Sequence, residues 1–355
     1  MKNKLIGVVR LNVLEMFIKD IKETIKKVLL EGKVLRLYQR MRSCSVLILA
    51  YHSVSENRDG QADYINSGIT TEAKRFDEQM SILRKEFYPV TLDEIADWIN
   101  GSRSLPSRSV AVTFDDGFAD NYHIAAPIME KYDIRGAIYL TIDSVQHRKL
   151  PWFCRTVFLF QQAKRQNQVL TDSEIKRTWN LGNPKENREA FIYYSYPCAK
   201  LVGEELENYV EKLEKWFGYG IDSTMSPSMI DFEQARELRR RGHLIGNHTL
   251  SHGNLAHIPP ESLHHEIAGA NEILERELGE RVEHFSYPHP CLDPQWNNNT
   301  LEETKKLGYK TAVLTSFGSV FRNSSPLLLP RLMIANPNAF EFRWKLETAL
   351  AGIQT

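Results

Sequence analysis

Short apolar runs rich in β-branched residues recur along the chain, and each is followed by a stretch with helical spacing. The runs are Ser45–Ala50, Val110–Phe114, Ala137–Thr141, 243–247, 283–287 and 309–315. Between them the periodicity predicts helices over 73–87, 92–100 (entered through Thr91 as a cap), 121–132, 231–241, 260–278 and 299–307. A strand that returns through a helix to another strand gives a parallel sheet with helices outside it. Seven or so such units, ending with an extended piece Leu327–Ile334 and a helix near 339–350, predict an α/β chain folded as a complete or distorted (β/α) barrel. In such a fold the reactive groups sit at the C-terminal ends of the strands.

Polar residues cluster at those ends. Thr113-Phe114-Asp115-Asp116-Gly117 closes one strand, Asn247-His248-Thr249-Leu250-Ser251-His252 a second, Ser286-Tyr287-Pro288-His289 a third, and Tyr51-His52 the first. Two adjacent carboxylates at the edge of a core repel each other and are costly to bury, so a cation or a solvated turn has to relieve them. His248 and His252, four apart, with one carboxylate would satisfy a divalent metal and leave positions open for water or substrate. An H-x-x-x-H spacing alone arises by chance on surfaces; together with the Asp pair it is a metal site.

Residues 145–225 interrupt the alternation and read as a helix-rich insertion, with 161–189 its most mobile part. The first 44 residues read as a helical extension, with Leu14, Phe17, Ile18, Ile21, Ile25 and Leu29 at helical spacing among lysines. Two readings stand for it: a helix packed on its own domain, or one lying on a membrane surface. No apolar run is long enough to span a bilayer, and charges interrupt the N-terminal one. The expected location is the cytoplasm or the cytoplasmic face of the membrane, with secretion the alternative. The 355 residues carry 45 basic and 45 acidic side chains, which gives no support for nucleic acid as a partner. Cys44, Cys154, Cys198 and Cys291 form no C-x-x-C pair and suggest neither a zinc knuckle nor a disulfide framework. Nothing in the sequence fixes the oligomeric state.

TFDDG and H-T-x-S-H resemble the first two motifs of the polysaccharide deacetylases, carbohydrate esterase family 4, with the NodB-homology domain. The resemblance covers about 45–335, the insertion included, and leaves 336–355 as a C-terminal helix. With Y-H-S-V near its start, the chain is similar to the branch that includes the poly-β-1,6-N-acetylglucosamine deacetylases. The resemblance implies a distorted (β/α) barrel and a metal-dependent hydrolase acting on a linear amide, which removes N-acetyl groups from a glycan or glycolipid. It further implies Asp115 as base for a metal-activated water and Asp116, His248 and His252 as ligands of Zn²⁺, with Co²⁺ or another divalent ion as substitutes. Tyr287, Pro288 and His289 fall in the third motif, where a backbone N–H faces the oxyanion.

Two departures stand out. Ser286 occupies the place where the family has an Arg that supports the base, so that support is lost or supplied elsewhere. No histidine follows His289 to act as the family's late acid. In the permuted branch a histidine near the domain's start does so, which implies His52 as the acid here; a hydrogen-bonded structural histidine is the other reading. Trp152 is read either as a sugar-stacking wall or as core. Two other functions stay open: a haloacid-dehalogenase-like phosphatase, whose D-x-D Gly117 breaks, and an inactive glycan-binding component of a polysaccharide-assembly system.

Overall fold

The computed structural model describes residues 24–30, 34–40, 45–56, 64–220, 229–290 and 292–353. Leu14, Phe17, Ile18 and Ile21 of the expected N-terminal helix, and Cys44 and Cys291, lie outside the described residues.

Six parallel strands form the body: β1 Ser45–Tyr51, β2 Ser109–Phe114, β3 Ala137–Leu140, β4 Leu244–Asn247, β5 His284–Ser286 and β6 Thr311–Val313. They lie side by side in chain order, β1 next to β2 and so on to β6. Every residue of β1, β2 and β3 is buried, as parallel strands covered on both faces must be. Alternate residues serve different layers: Leu47, Leu49 and Tyr51 pack under the outer helices, whereas Val46 and Ile48 join Ala111, Ala137 and Tyr139. Gly246 is required there, because a Cβ at that position would lie 2.4 Å from the Tyr139 ring and 2.9 Å from the His284 carbonyl oxygen.

The sheet curls, and one late segment links its two edges. Leu329 bridges Val313 of β6, and β7 (Leu332–Met333) pairs in parallel with Leu49 and Ala50 of β1. The extended piece expected at 327–334 is therefore the stave that closes the distorted barrel.

Most helices fall where periodicity puts them, among them Ala73–Glu86 and Leu92–Asn100, whose Thr91 and Glu94 form a capping box. The helices expected at 121–132 and 260–278 each contain a wider, i→i+5 π-turn, over Asn121–Ala125 and His265–Gly269. Both bear on the site. The insertion is helix-rich, as expected, with Trp152–Arg165, Pro184–Ser195 and Gly203–Phe217, but it also contains an antiparallel hairpin, Val169–Asp172 with Arg177–Asn180. The 161–189 stretch is a packed part of this lobe: Leu170 and Trp179 are buried in its own aromatic core. At the other end, Arg36 of helix Val34–Arg40 pairs with Glu347 of the C-terminal helix Ala339–Leu350.

Candidate active site

The strand ends bring the singled-out groups together. Asp116, His248 and His252 are buried, and one ligand atom from each lies within 4.8 Å of the others. The Nε2 atoms of His248 and His252 are 3.6 and 3.5 Å from Oδ1 of Asp116. Those separations are too long for hydrogen bonds, and Asp116 Oδ1 has no hydrogen-bond partner. Two ligands each about 2.0–2.1 Å from one tetrahedral ion lie roughly 3.3–3.5 Å apart, so the trio fits a divalent cation. The charges agree. Burial, then the neighbouring Asp115 charge, pushes the Asp116 carboxyl well up, and burial lowers both imidazoles, so each group stands to gain from a positive ion.

The loops that aim these groups are held from behind. Asp116, Thr249 and His252 adopt left-handed backbone angles (φ of 75°, 68° and 60°), a conformation costing on the order of 1–3 kcal/mol each for side-chain-bearing residues. Asn247 Oδ1 accepts the Thr249 N–H at 2.7 Å, and Thr249 Oγ1 accepts the His252 N–H at 3.1 Å. Glu266, brought inward by the π-turn, accepts from both the N–H and the hydroxyl of Ser251 (3.0 and 2.8 Å). His248 Nδ1 lies 2.7 Å from the Ser286 carbonyl, which fixes Nδ1–H as donor and leaves the Nε2 lone pair facing Asp116.

Trp152 belongs to the core reading. It is 7% exposed, and its indole N–H donates to the His252 carbonyl at 3.3 Å, so it positions the metal loop. Phe153 packs its ring 4.6 Å from that of His252. The Tyr287 side chain also points away from the site, into a hydroxyl contact with Thr304 at 3.0 Å, and Pro288 is buried beside it. His289 is partly exposed with its ring on Asp293, and among the described residues its backbone N–H has no acceptor.

Asp115 has a partner that sequence reasoning missed. Arg331, fully buried on the closing stave, donates Nη1 and Nη2 to the two Asp115 oxygens at 2.8 and 2.6 Å. Ser286 joins this grip, its hydroxyl accepting from Arg331 at 3.0 Å and lying 3.3 Å from Asp115. Thr113 and the Leu314 carbonyl accept the other guanidinium N–H groups. Burial alone would raise the Asp115 carboxyl; the Arg331 charge, with smaller contributions from His248 and His52, holds it well below the usual range. The support missing at Ser286 thus comes from another strand. A lone Arg inside the apolar run LLLPRLMI was the available signal, since a charge there must find a buried partner.

His52 sits at the end of β1, its carbonyl held by Asn121 Nδ2 at 2.7 Å in the first π-turn. Its Nδ1 is buried without a partner. Burial lowers the imidazole to about 4, opposed by the Asp115 charge.

The family model for polysaccharide deacetylase matches residues 214–312. A Bacillus subtilis protein named as a polysaccharide deacetylase, YxkH, is 20% identical over 81% of this chain and 71% of its own length. The poly-β-1,6-N-acetyl-D-glucosamine N-deacetylase of Escherichia coli is 24% identical over 84% of this chain, which spans only 38% of that protein. Among solved structures, the Streptococcus pyogenes deacetylase PplD (TM-score 0.54, 17% identity, 83% of this chain and 94% of that one) shares the fold. So does IcaB from Ammonifex degensii (TM-score 0.54, 18% identity, 87% and 99%). Match and relatives agree with the resemblance read from the motifs, and the solved structures share the fold.

Proposed function

We propose that the chain removes N-acetyl groups from an N-acetylated sugar or polysaccharide, with Asp115 as base, His52 as proton donor and Asp116, His248 and His252 as metal ligands. The observation that carries this reading is the division of labour between adjacent aspartates: Asp115 is gripped by Arg331, while Asp116 Oδ1 is left free toward two imidazoles. A divalent ion held there, zinc by the two-His, one-carboxylate donor set and cobalt as a substitute, supplies Lewis acidity to the amide carbonyl and lowers the pKa of water.

The protein's own groups do the rest. Arg331 and Ser286 keep Asp115 ionised and fix its direction, so that it accepts a proton as water attacks the acetyl carbonyl. The His289 N–H, which has no acceptor among the described residues, is the donor for the developing oxyanion, as the third-motif resemblance implies. The proton that Asp115 takes from water passes through His52 to the departing amine, which leaves Asp115 and His52 as they began.

All three proposed ligands and a supported base count against an inactive glycan-binding component. Helix 24–30 exposes Ile25 and Val28, and Val34–Arg40 exposes Val34 and Leu37, which supports peripheral membrane contact through the N-terminal region. The test of function is deacetylation of defined β-1,4- and β-1,6-linked N-acetylglucosamine oligomers with zinc, with cobalt and without added metal. Amine release on at least one linkage, dependent on metal, is expected; none on any would reject the assignment.

A further inference from the structure

One cavity lies away from the strand ends. It lies in the insertion lobe, has a volume of about 840 Å³, and is lined by the hairpin 169–180 and by helices Pro184–Ser195 and Gly203–Phe217. Tyr193 and Tyr196, three apart and so on one face of their helix, stand at 48% and 45% exposure on its rim. Trp216 and Tyr209 form the deeper wall, and Tyr194 braces the rim with rings 4.9 Å from Tyr193 and 5.1 Å from Trp216. Two of these rings, Tyr194 and Tyr209, are fixed by hydrogen bonds. The Tyr194 hydroxyl donates to Asp172 at 2.5 Å, and the Tyr209 hydroxyl donates to the Tyr194 carbonyl at 3.1 Å.

By contrast, among the described residues the hydroxyls of Tyr193 and Tyr196, the Trp216 N–H and the Lys200 ammonium have no protein partner. A rigid aromatic cleft ringed by unspent donors matches one ligand chemistry well. A pyranose ring has an apolar face of C–H groups that packs on an aromatic ring, and an equatorial rim of hydroxyls and carbonyls that takes hydrogen bonds.

We propose that this cleft is a glycan-binding subsite that holds sugar units of a polymeric substrate away from the residue being deacetylated; this rests on the proposed function. The lobe's geometry connects the two places. Helix Trp152–Arg165 begins at the metal loop, where Trp152 bonds the His252 carbonyl, and runs about 20 Å at 1.5 Å per residue toward the hairpin that walls the cleft. A chain that spans that distance gains a second hold, raising its effective concentration at the strand ends. Short substrates cannot reach both.

The test uses the full chain with Tyr193→Ala, Tyr196→Ala and the double variant, and N-acetylglucosamine di- and hexasaccharides as probes. Binding is followed by Trp216-sensitive fluorescence and independently by calorimetry, and turnover by amine release. The ratio of hexasaccharide to disaccharide kcat/KM should fall about tenfold for each ring removed, and hexasaccharide affinity should weaken in parallel. Both side chains are exposed, so the variants should keep the wild-type melting temperature; Lys200→Met gives a second probe that removes a donor and no ring. Unchanged hexasaccharide binding in the folded double variant would overturn the subsite. Binding lost in that variant, with no turnover in any form, would retain the subsite and reject the deacetylase reading.

Discussion

Replacing Arg331 with Met should cost both stability and base function, in amounts the structure sets. Its guanidinium is fully buried and shares two short hydrogen bonds with Asp115 and one with Ser286. Removing one member of a buried, hydrogen-bonded ion pair typically costs about 3–5 kcal/mol, because the other charge is left unpaired. That cost should appear as a lowered urea midpoint at neutral pH. The sign follows from Asp115, whose folded pKa is depressed. Its pairing stabilises above the unfolded carboxylate range and is lost as pH falls through the folded value, so the difference between wild type and variant should shrink in strong acid. Without Arg331, burial dominates and Asp115 becomes a weaker acid. About 3 kcal/mol of lost coupling corresponds to roughly two pH units, so the acidic limb of kcat/KM should move up by that much. Arg331→Lys keeps the charge but not the planar fork, and should recover more of the pH profile than of kcat. A Met variant with the wild-type pH profile and rate, whatever its stability, would refute Arg331 as the support of the base.

Other outcomes follow from the same geometry. The His248→Ala/His252→Ala variant should lose stoichiometric divalent metal by elemental analysis; full retention would move the site elsewhere. His52→Ala should lower kcat by about 10²–10⁴ with metal content unchanged, and should harm amide substrates more than esters, whose alkoxides leave with less help. Equal losses on both would return His52 to a structural role. Gly246→Ala should destabilise by about 1–3 kcal/mol in denaturant, since its Cβ would overlap the Tyr139 ring and the β5 backbone; an unperturbed variant would mean that the interior yields there.

The alternation of apolar runs and helices made the barrel legible, and the motifs at the strand ends located Asp115, Asp116, His248, His252 and His52, because side chains at those ends converge by topology. What escaped was long-range. Ser286 could be seen to lack the arginine's function, but its substitute lies 45 residues onward on a stave whose place beside β1 no local pattern reveals. Glu266 was not singled out, because a π-turn, which brings it to Ser251, leaves no periodic signature. Trp152 was undecidable locally: its burial depends on the lobe formed by residues far along the chain. The hairpin at 169–180 was missed because its strands are short and mostly polar, with only Leu170 and Trp179 facing inward.

The central claim is tested most directly by following the acetyl methyl resonance of an N-acetylglucosamine hexasaccharide by NMR. Purified protein would be used after metal stripping, after reloading with zinc, and as Asp115→Asn reloaded in the same way. Free acetate should accumulate with the reloaded wild type, stop on stripping, and nearly vanish in Asp115→Asn although that variant still binds its metal. Acetate released equally by the stripped protein, or by Asp115→Asn at the wild-type rate, would contradict the assignment of these residues.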